Sequence, residues 1–377
     1  SRTEYIFIKS LDWIVSINFL SVDYLNKCLD SVISQTLKEI ESIIVNDCSP
    51  DLEDERICQE YANKDSRIIY IKHEKNLGSG GARNTGIRIA QAPYIGAVDS
   101  DDYIDKTMYQ KLYNQIIETQ SDIVACAYTY VTEQGEILYT YSDKERKSNV
   151  AYKKGNFLQE LHCHFVDKIY KKTLLLDNKV FFENHIFYED LAIMPQLVFY
   201  AQKISLIEES LYFYVQHNSS KTFSFDIDRN INDYFRVFEI LKTFLNEKNM
   251  FHDYKNGYYQ LIYGHLGYYL RTLNAQPNII IGPEMKRKAI HLAFERLEAE
   301  LSISDFFNSV PYITLYNVFN PHAHVADSWY QFGQLSKKRK IWVIMKVICK
   351  KFGIYRLLRS LAVLFKNFYF KHLSKDR

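Results

Sequence analysis

Short apolar runs alternate with helical stretches through the first hundred residues, and few folds accept that rhythm. Ile14 to Phe19 is strand-like, and Tyr24 to Ser34 places Leu25, Cys28, Leu29, Val32 and Ile33 at helical spacing. Ser42-Ile43-Ile44-Val45 is a β-branched run that stops at Asn46-Asp47. Leu52 to Tyr61 reads as a helix, Arg67 to Lys72 as a strand, Gly78 to Ala90 as a helix and Tyr94 to Val98 as a strand stopping at Asp99. Strand–helix repetition of this kind predicts an α/β fold with a mostly parallel sheet covered by helices.

Polar residues gather where these strands end. Asp47 follows one strand and Asp99 to Asp102 follow another. In open α/β sheets the carboxyl edge of the strands carries the ligand site. Solvated turns are the alternative for either cluster alone; two clusters on one edge favour a site.

Residues 121–222 read as mixed. Asp122 to Tyr130 and Ile137 to Tyr141 are strand-like around a Glu133-Gln134-Gly135 turn, with helical patterns near Phe157 and from Tyr188 to Tyr200. From Asp226 to about Leu301 the spacing is mainly helical. A hydrophobic share of 47% with 30 Tyr and 24 Phe in 377 residues excludes a disordered chain. The six cysteines form no CxxC pair, which fits a reducing, cytosolic setting. No leader is expected, because Arg2, Glu4, Lys9 and Asp12 interrupt the first apolar residues. No stretch reaches the ~18 uncharged apolar residues of a membrane-spanning helix.

Asp99-Ser100-Asp101-Asp102 is the strongest local signal. Three carboxylates so close repel one another unless a cation lies between them, and Asp-x-Asp after a strand suits Mg2+ or Mn2+ shared with a diphosphate. The alternative is the acidic first turn of a helix over Tyr103 to Leu112. Asn76-Leu77-Gly78-Ser79-Gly80-Gly81-Ala82-Arg83-Asn84 opens a helix with glycines but is neither a P-loop nor a dinucleotide fingerprint. Close backbone approach to a ligand with a fixed arginine, or an ordinary glycine turn, would each explain it. In His162-Cys163-His164, neighbours on a strand would point to opposite faces, so a zinc site is not expected there; His322 and His324 are read the same way. Asn218-Ser219-Ser220 matches a glycosylation acceptor, without meaning for a cytosolic chain.

Together these motifs resemble glycosyltransferase family 2. The resemblance runs from Ser31-Val32 and Gln35-Thr36 through Ile43 to Asp51, Asn76-x-Gly78, Ala82-Arg83-Asn84-x-Gly86 and Asp99 to Asp102. It continues at Asp167-Lys168-x-Tyr170, Tyr188-Glu189-Asp190 and Tyr212-x-Tyr214 with His217, covering roughly residues 14–222. It implies the GT-A fold over 1–222, with a donor part at about 14–120 and an acceptor part at about 121–222. A helical region at 223–335 and a basic tail at 336–377 would follow.

By position, the resemblance gives Asp47, Arg83, Asp99 and Lys168 to the donor: Asp47 at the base, Arg83 at base or phosphate, Asp99 near the ribose. It gives Asp101, Asp99 and His217 to a Mn2+ or Mg2+ ion, and Asp190 to the general base. Glu189 is the rival base; on a helix it and Asp190 are expected to point about 100° apart, so that only one faces the acceptor. The implied activity is inverting, metal-dependent transfer from a nucleotide sugar, UDP-linked, to a glycan or lipid-linked hydroxyl in bacterial capsule or lipopolysaccharide assembly. The chain departs from the family pattern at Asn18-Phe19-Leu20-Ser21, about three residues short, and at Cys48, where glycine is usual. A nucleotidyltransferase and a non-catalytic sugar-nucleotide or membrane-binding protein are the other readings; free UDP as product and cation-dependent donor hydrolysis separate them.

From Ser336 onward thirteen Lys and Arg face a single acid, Asp376, although the whole chain is only +2. Ile354, Leu357, Leu358, Leu361, Leu364, Phe365 and Phe368 share one side of a helical wheel, with Arg356, Arg359, Lys366 and Lys371 opposite. This is a basic amphipathic stripe suited to an anionic leaflet rather than nucleic acid; packing against the protein itself is the alternative. It places the chain in the cytoplasm, peripheral on the membrane. The full chain is therefore expected to co-sediment with anionic liposomes at low salt and to be released at high salt. Removal of residues 336–377 should abolish sedimentation, and equal sedimentation of both forms would mean that the stripe packs on the protein.

Overall fold

The structure is a computed structural model that describes residues 11–17, 22–141, 162–217 and 226–259, with 261–262, 265, 288–289, 292 and 296 as isolated positions. The stretches near Phe157, at Asn18–Ser21, at Asn218–Ser220, at His322–His324 and over the basic tail lie outside the described residues. The chain divides into two compact units, Ser1–Met250 and Phe251–Arg377. The boundary thus falls beyond the expected 222/223 division. The helix α7 (Ile227–Glu247) belongs to the first unit because Tyr234 stacks on Tyr188 at 3.8 Å and Phe244 meets Phe199 edge-on.

One sheet organises the first unit. Its order is β3 (Ile68–Lys72), β2 (Ile40–Asn46), β1 (Leu11–Ile17), β4 (Tyr94–Asp99), β8 (Lys168–Lys171), β6 (Ile123–Thr132), β9 (Ile204–Gln216) and β5 (Tyr103–Ile104), with β7 (Ile137–Tyr141) paired to β6. The first four strands are parallel, as alternation with α1 (Val22–Ile33), α2 (Leu52–Lys64) and α3 (Gly78–Ile89) requires. β2 is buried along nearly all its length, hence its unbroken Ile and Val run. The second half is mixed, so the sheet is parallel only in its first part: β8 runs antiparallel to both β4 and β6, while β6 and β9 are parallel.

Three strands escaped the sequence pattern. β5 and β8 have two and four residues, too short for a period to show. β9 begins Ile204-Ser205-Leu206-Ile207 and then runs into Glu208-Glu209, where the register with β6 shifts and interrupts its alternation. The helix expected over Tyr103 to Leu112 starts instead at Met108, as α4 (Met108–Thr119). The acidic cluster therefore does not cap that helix.

The loop after β4 is held from below by the Ser31–Thr36 motif. Ser31 Oγ accepts from Ile104 N at 3.2 Å. The fully buried Gln35 donates to the Asp105 carbonyl at 2.7 Å and accepts from Tyr109 N at 3.1 Å. Thr36 N donates to the Lys106 carbonyl at 2.8 Å. These four bonds fix the frame from which Asp99 to Asp102 project.

Candidate active site

The carboxyl edge of β2, β4 and β9 brings the acidic residues together, and α3 supplies the cation between them. Arg83, 3% exposed, donates from Nη2 to Asp99 Oδ1 at 2.7 Å, and from Nη1 to Glu189 Oε1 at 2.5 Å and Asp190 Oδ1 at 3.0 Å. Burial alone would lower its pKa, but Asp99, Asp190 and Glu189 hold it well above the usual arginine value. Both Glu189 and Asp190 thus touch the same guanidinium. They open α6 (Glu189–Tyr200), and the guanidinium lies within reach of both side chains at this end. The backbone turns into the helix at Tyr188, whose φ is 64°.

The glycines of α3 make this meeting possible. A Cβ on Gly80 would lie 2.5 Å from the Glu183 carbonyl oxygen, and one on Gly81 would lie 3.1 Å from Asn184 Oδ1. Asn84 clasps the same segment, donating to the Phe182 carbonyl at 2.8 Å and accepting from Phe182 N at 2.9 Å. The glycine-rich stretch therefore lets protein backbone approach, and the segment it admits leads into Glu189 and Asp190.

Asp190 keeps 20% of its side-chain exposure, against 11% for Glu189. Its second oxygen accepts from Phe165 N at 3.0 Å. Burial raises its pKa to about 7; Arg83 opposes the rise, and Glu189 and Asp99 add to it. Asp99 is also raised, by burial first, with Arg83 pulling down and Asp101 pushing up.

His217 Nε2 lies 3.0 Å from Asp101 Oδ2, and its ring stacks on Tyr24 at 4.9 Å. The sequence thus brought two of its three expected metal ligands into contact. Among the described residues no group of three His, Cys, Asp or Glu is assembled as a metal site. Asp102 plays a different part. It is buried, accepts from Tyr212 Oη at 2.5 Å and Val215 N at 2.8 Å, and so ties the acidic loop to β9 and brings His217 to Asp101. Tyr212 Oη also accepts from Asp99 N at 3.3 Å. The Tyr212-x-Tyr214 pattern was the sequence signal for this strut.

Asp47 follows β2 with its side chain wholly buried. Oδ1 accepts from Leu77 N at 2.8 Å and faces His73 Nδ1 at 2.7 Å, while Oδ2 is buried with no partner among the described residues. Next to it, Cys48 has a φ of 60°, the left-handed backbone that explains glycine as the usual residue there. Lys168 turns inward: 1% exposed, it donates to the His164 carbonyl at 2.6 Å and to Asp167 at 2.5 Å. Its ammonium is thus bonded within the segment from His164 to Asp167. His162 to His164 is not a strand; the two imidazoles meet at 4.2 Å beside Tyr128. No described helix is long and apolar enough to cross a membrane.

Comparison with known proteins agrees with this geometry. The family described as Glycosyl transferase family 2 matches residues 13–176. The uncharacterized glycosyltransferase EpsJ of Bacillus subtilis is 35% identical over 208 residues, 53% of this chain and 59% of EpsJ. Glycosyltransferase GlyG of Streptococcus pneumoniae is 31% identical over 210 residues, 52% of this chain and 68% of GlyG. The chain thus spans less than two thirds of EpsJ. In structure it is similar to residues 1–349 of S. aureus TarS in complex with UDP-GlcNAc, with a TM-score of 0.58, 20% identity, and coverage of 87% of this chain and 93% of that one. This likeness shows the fold, GT-A.

The raised Asp190 has a consequence for stability. An aspartate titrates near ~3.9 in an unfolded chain. Between that value and about 7 the folded protein holds a proton that the unfolded chain has released. This component of stability therefore falls as pH rises through the window. Asp190→Asn lacks it, so urea midpoints of the variant should gain on wild type between pH 5 and pH 8. A difference that stays flat would assign Asp190 an ordinary pKa.

Proposed function

The chain belongs to glycosyltransferase family 2, and we propose that it moves a sugar from a UDP-sugar donor to a hydroxyl of a glycan or lipid-linked acceptor, with inversion, in assembly of a bacterial surface polysaccharide. The observation that carries the reading is Asp190: a partly open carboxylate raised to about 7 beside Arg83, Glu189 and Asp99. The bound UDP-GlcNAc of the TarS structure supports the donor class. The basic stretch at 336–377 supports an anionic membrane surface as the place of work.

Asp190 is the group to take the acceptor proton. Arg83 and Phe165 N hold its two oxygens in place, and a carboxylate retains lone pairs beyond those bonds. A base poised near neutrality removes the hydroxyl proton as the nucleophile attacks the anomeric carbon, an effect typically worth about 10²–10⁴-fold. One displacement with one base inverts that carbon. Glu189 is more enclosed and holds Arg83, which in turn orients Asp190.

The acidic site fits a divalent cation. Three carboxylates share one guanidinium, and Asp101 adds a fourth carboxyl group that meets an imidazole nitrogen. Carboxylate oxygens with an imidazole suit Mn2+, and Mg2+ accepts the carboxylates with water and phosphate oxygens. Asp101, His217 and Asp99 would hold it. When bound, such an ion neutralises the charge that builds on a departing diphosphate.

Two measurements test this. Asp190→Asn should lower kcat by roughly 10²–10⁴-fold with UDP affinity near wild type, while wild-type kcat/KM rises with pH through about 7 as the base ionises. An active Asp190→Asn beside a dead Glu189→Gln would transfer the role to Glu189. Asp101→Asn should remain folded by circular dichroism and lose the Mn2+-dependent part of UDP binding in calorimetry. Retention of that dependence would remove Asp101 from the metal site.

A further inference from the structure

The segment that delivers Glu189 and Asp190 is bent against its own preference. His185 has a φ of 59° and Tyr188 a φ of 64°, left-handed values that crowd a Cβ and are rare for a residue as bulky as tyrosine. Such backbone persists only where its surroundings over-determine it. Tyr188 immediately precedes α6, and its carbonyl accepts from Leu191 N at 3.0 Å in the first turn of that helix. The direction in which Glu189 and Asp190 leave the backbone is therefore set at Tyr188.

Two elements grip this segment. At the start of α3, the Leu77 carbonyl accepts from His185 N at 3.2 Å, and a Cβ on Gly78 would lie 2.9 Å from that nitrogen. The second element is α7, whose residues 229, 233 and 236 share one helical face. Asp233 Oδ2 accepts from Phe187 N at 2.9 Å. Arg229 lies over the Phe187 ring at 4.1 Å, donates from Nη2 to the His185 carbonyl at 3.4 Å and pairs with Asp233 at 3.6 Å. Arg236 pairs with Glu183 at 3.2 Å, and Tyr234 stacks on Tyr188 at 3.8 Å.

These contacts are unequal. Arg229 and Arg236 are 47% and 52% exposed, and ion pairs so open to water contribute little. Asp233 is 15% exposed and takes a backbone N–H on a carboxylate oxygen, the stronger kind of bond. We infer that Asp233 is a positioning residue for Asp190: through Phe187 N it holds the left-handed turn at Tyr188 that keeps the base in place. The inference rests on the reading of Asp190 as base, and adds a residue of α7 to the machinery of that reaction. Without the bond, Tyr188 is free to relax toward an ordinary φ, which turns the start of α6 and carries Asp190 away from Arg83. Asp47 and Asp101, which the donor reading gives to UDP and its cation, project from other segments and keep their places.

The full chain with Mn2+ supports three measurements: UDP release from UDP-GlcNAc, UDP-glucose and UDP-galactose with water as acceptor, UDP affinity by calorimetry, and amide exchange by mass spectrometry. Asp233→Ala should lower kcat by about 10–10²-fold, leave UDP affinity and stoichiometry at wild type, and speed exchange at Phe187–Asp190 by about tenfold. Asp233→Asn keeps an oxygen to accept from Phe187 N and should retain most of the wild-type rate and protection. Tyr234→Leu, which removes the stack on Tyr188, should split kcat from UDP affinity in the same direction. Wild-type kcat and exchange in Asp233→Ala would overturn the inference and leave the donor reading intact. A slowed Asp233→Ala that also binds UDP weakly marks general loosening and overturns it too. Should Asp233→Ala fail to fold by circular dichroism, wild-type kcat and exchange in Tyr234→Leu overturn it. A wild type that releases UDP from none of these sugars overturns the donor reading, and unchanged exchange in Asp233→Ala overturns the grip of α7 independently.

Discussion

The guanidinium of Arg83 is the joint on which the site depends. It is buried, and it touches Asp99 at the end of β4 and both Glu189 and Asp190 at the start of α6. Those elements, a strand and a helix, are ninety residues apart in sequence. Removing one partner of a buried ion pair costs about 3–5 kcal/mol; here removal would leave three carboxylates facing one another. Asp190 is thereby coupled to the strand end that carries the acidic loop, and neither can shift without the other. The same contact has opposite effects on reactivity and order. Arg83 lowers the pKa of Asp190 while burial raises it, and burial prevails.

Such a joint needs close backbone approach, which fixes the composition around it. Gly80 and Gly81 leave room for Glu183 and Asn184, and Asn84 binds the Phe182 backbone on both its polar groups. Without those contacts Arg83 would be a long side chain with no fixed target. Asp102 and Tyr212 do for the acidic loop what Asn84 does for the segment leading to Asp190. Each carboxylate-bearing segment thus has a neighbouring polar residue that holds its backbone.

How far the sequence showed this depends on the range of each interaction. β2 and β4 were legible because burial on both faces makes a continuous apolar run, and α1 because its buried stripe recurs every turn. Asp47, Asp99 and Asp101 stood out at strand ends, whereas Asp190 and His217 were given by the family resemblance. β8 was not legible, since four residues carry no period, and β9 was obscured where its register with β6 shifts at Cys126 to Tyr128. Arg83 was expected to meet a ligand because nothing local tells a phosphate from three carboxylates; its partners come from loops that only the tertiary fold brings near. The same holds for Lys168, whose bonds to the carbonyl of His164 and the carboxylate of Asp167 no local pattern announces. His73 gave no signal, because its two hydrogen bonds reach residues 26 and 12 positions away.

The charge at the Arg83 joint is set by two opposed influences. Burial holds Asp190 up at about 7 while Arg83 pulls it down, and Asp99 is likewise raised by burial with Arg83 opposing. Ionisation of the two carboxyls strengthens their bonds to the guanidinium and at the same time adds to the repulsion between them. The raised pKa follows from how the group is buried and bonded, since on an open surface Asp190 would not hold its proton toward neutrality.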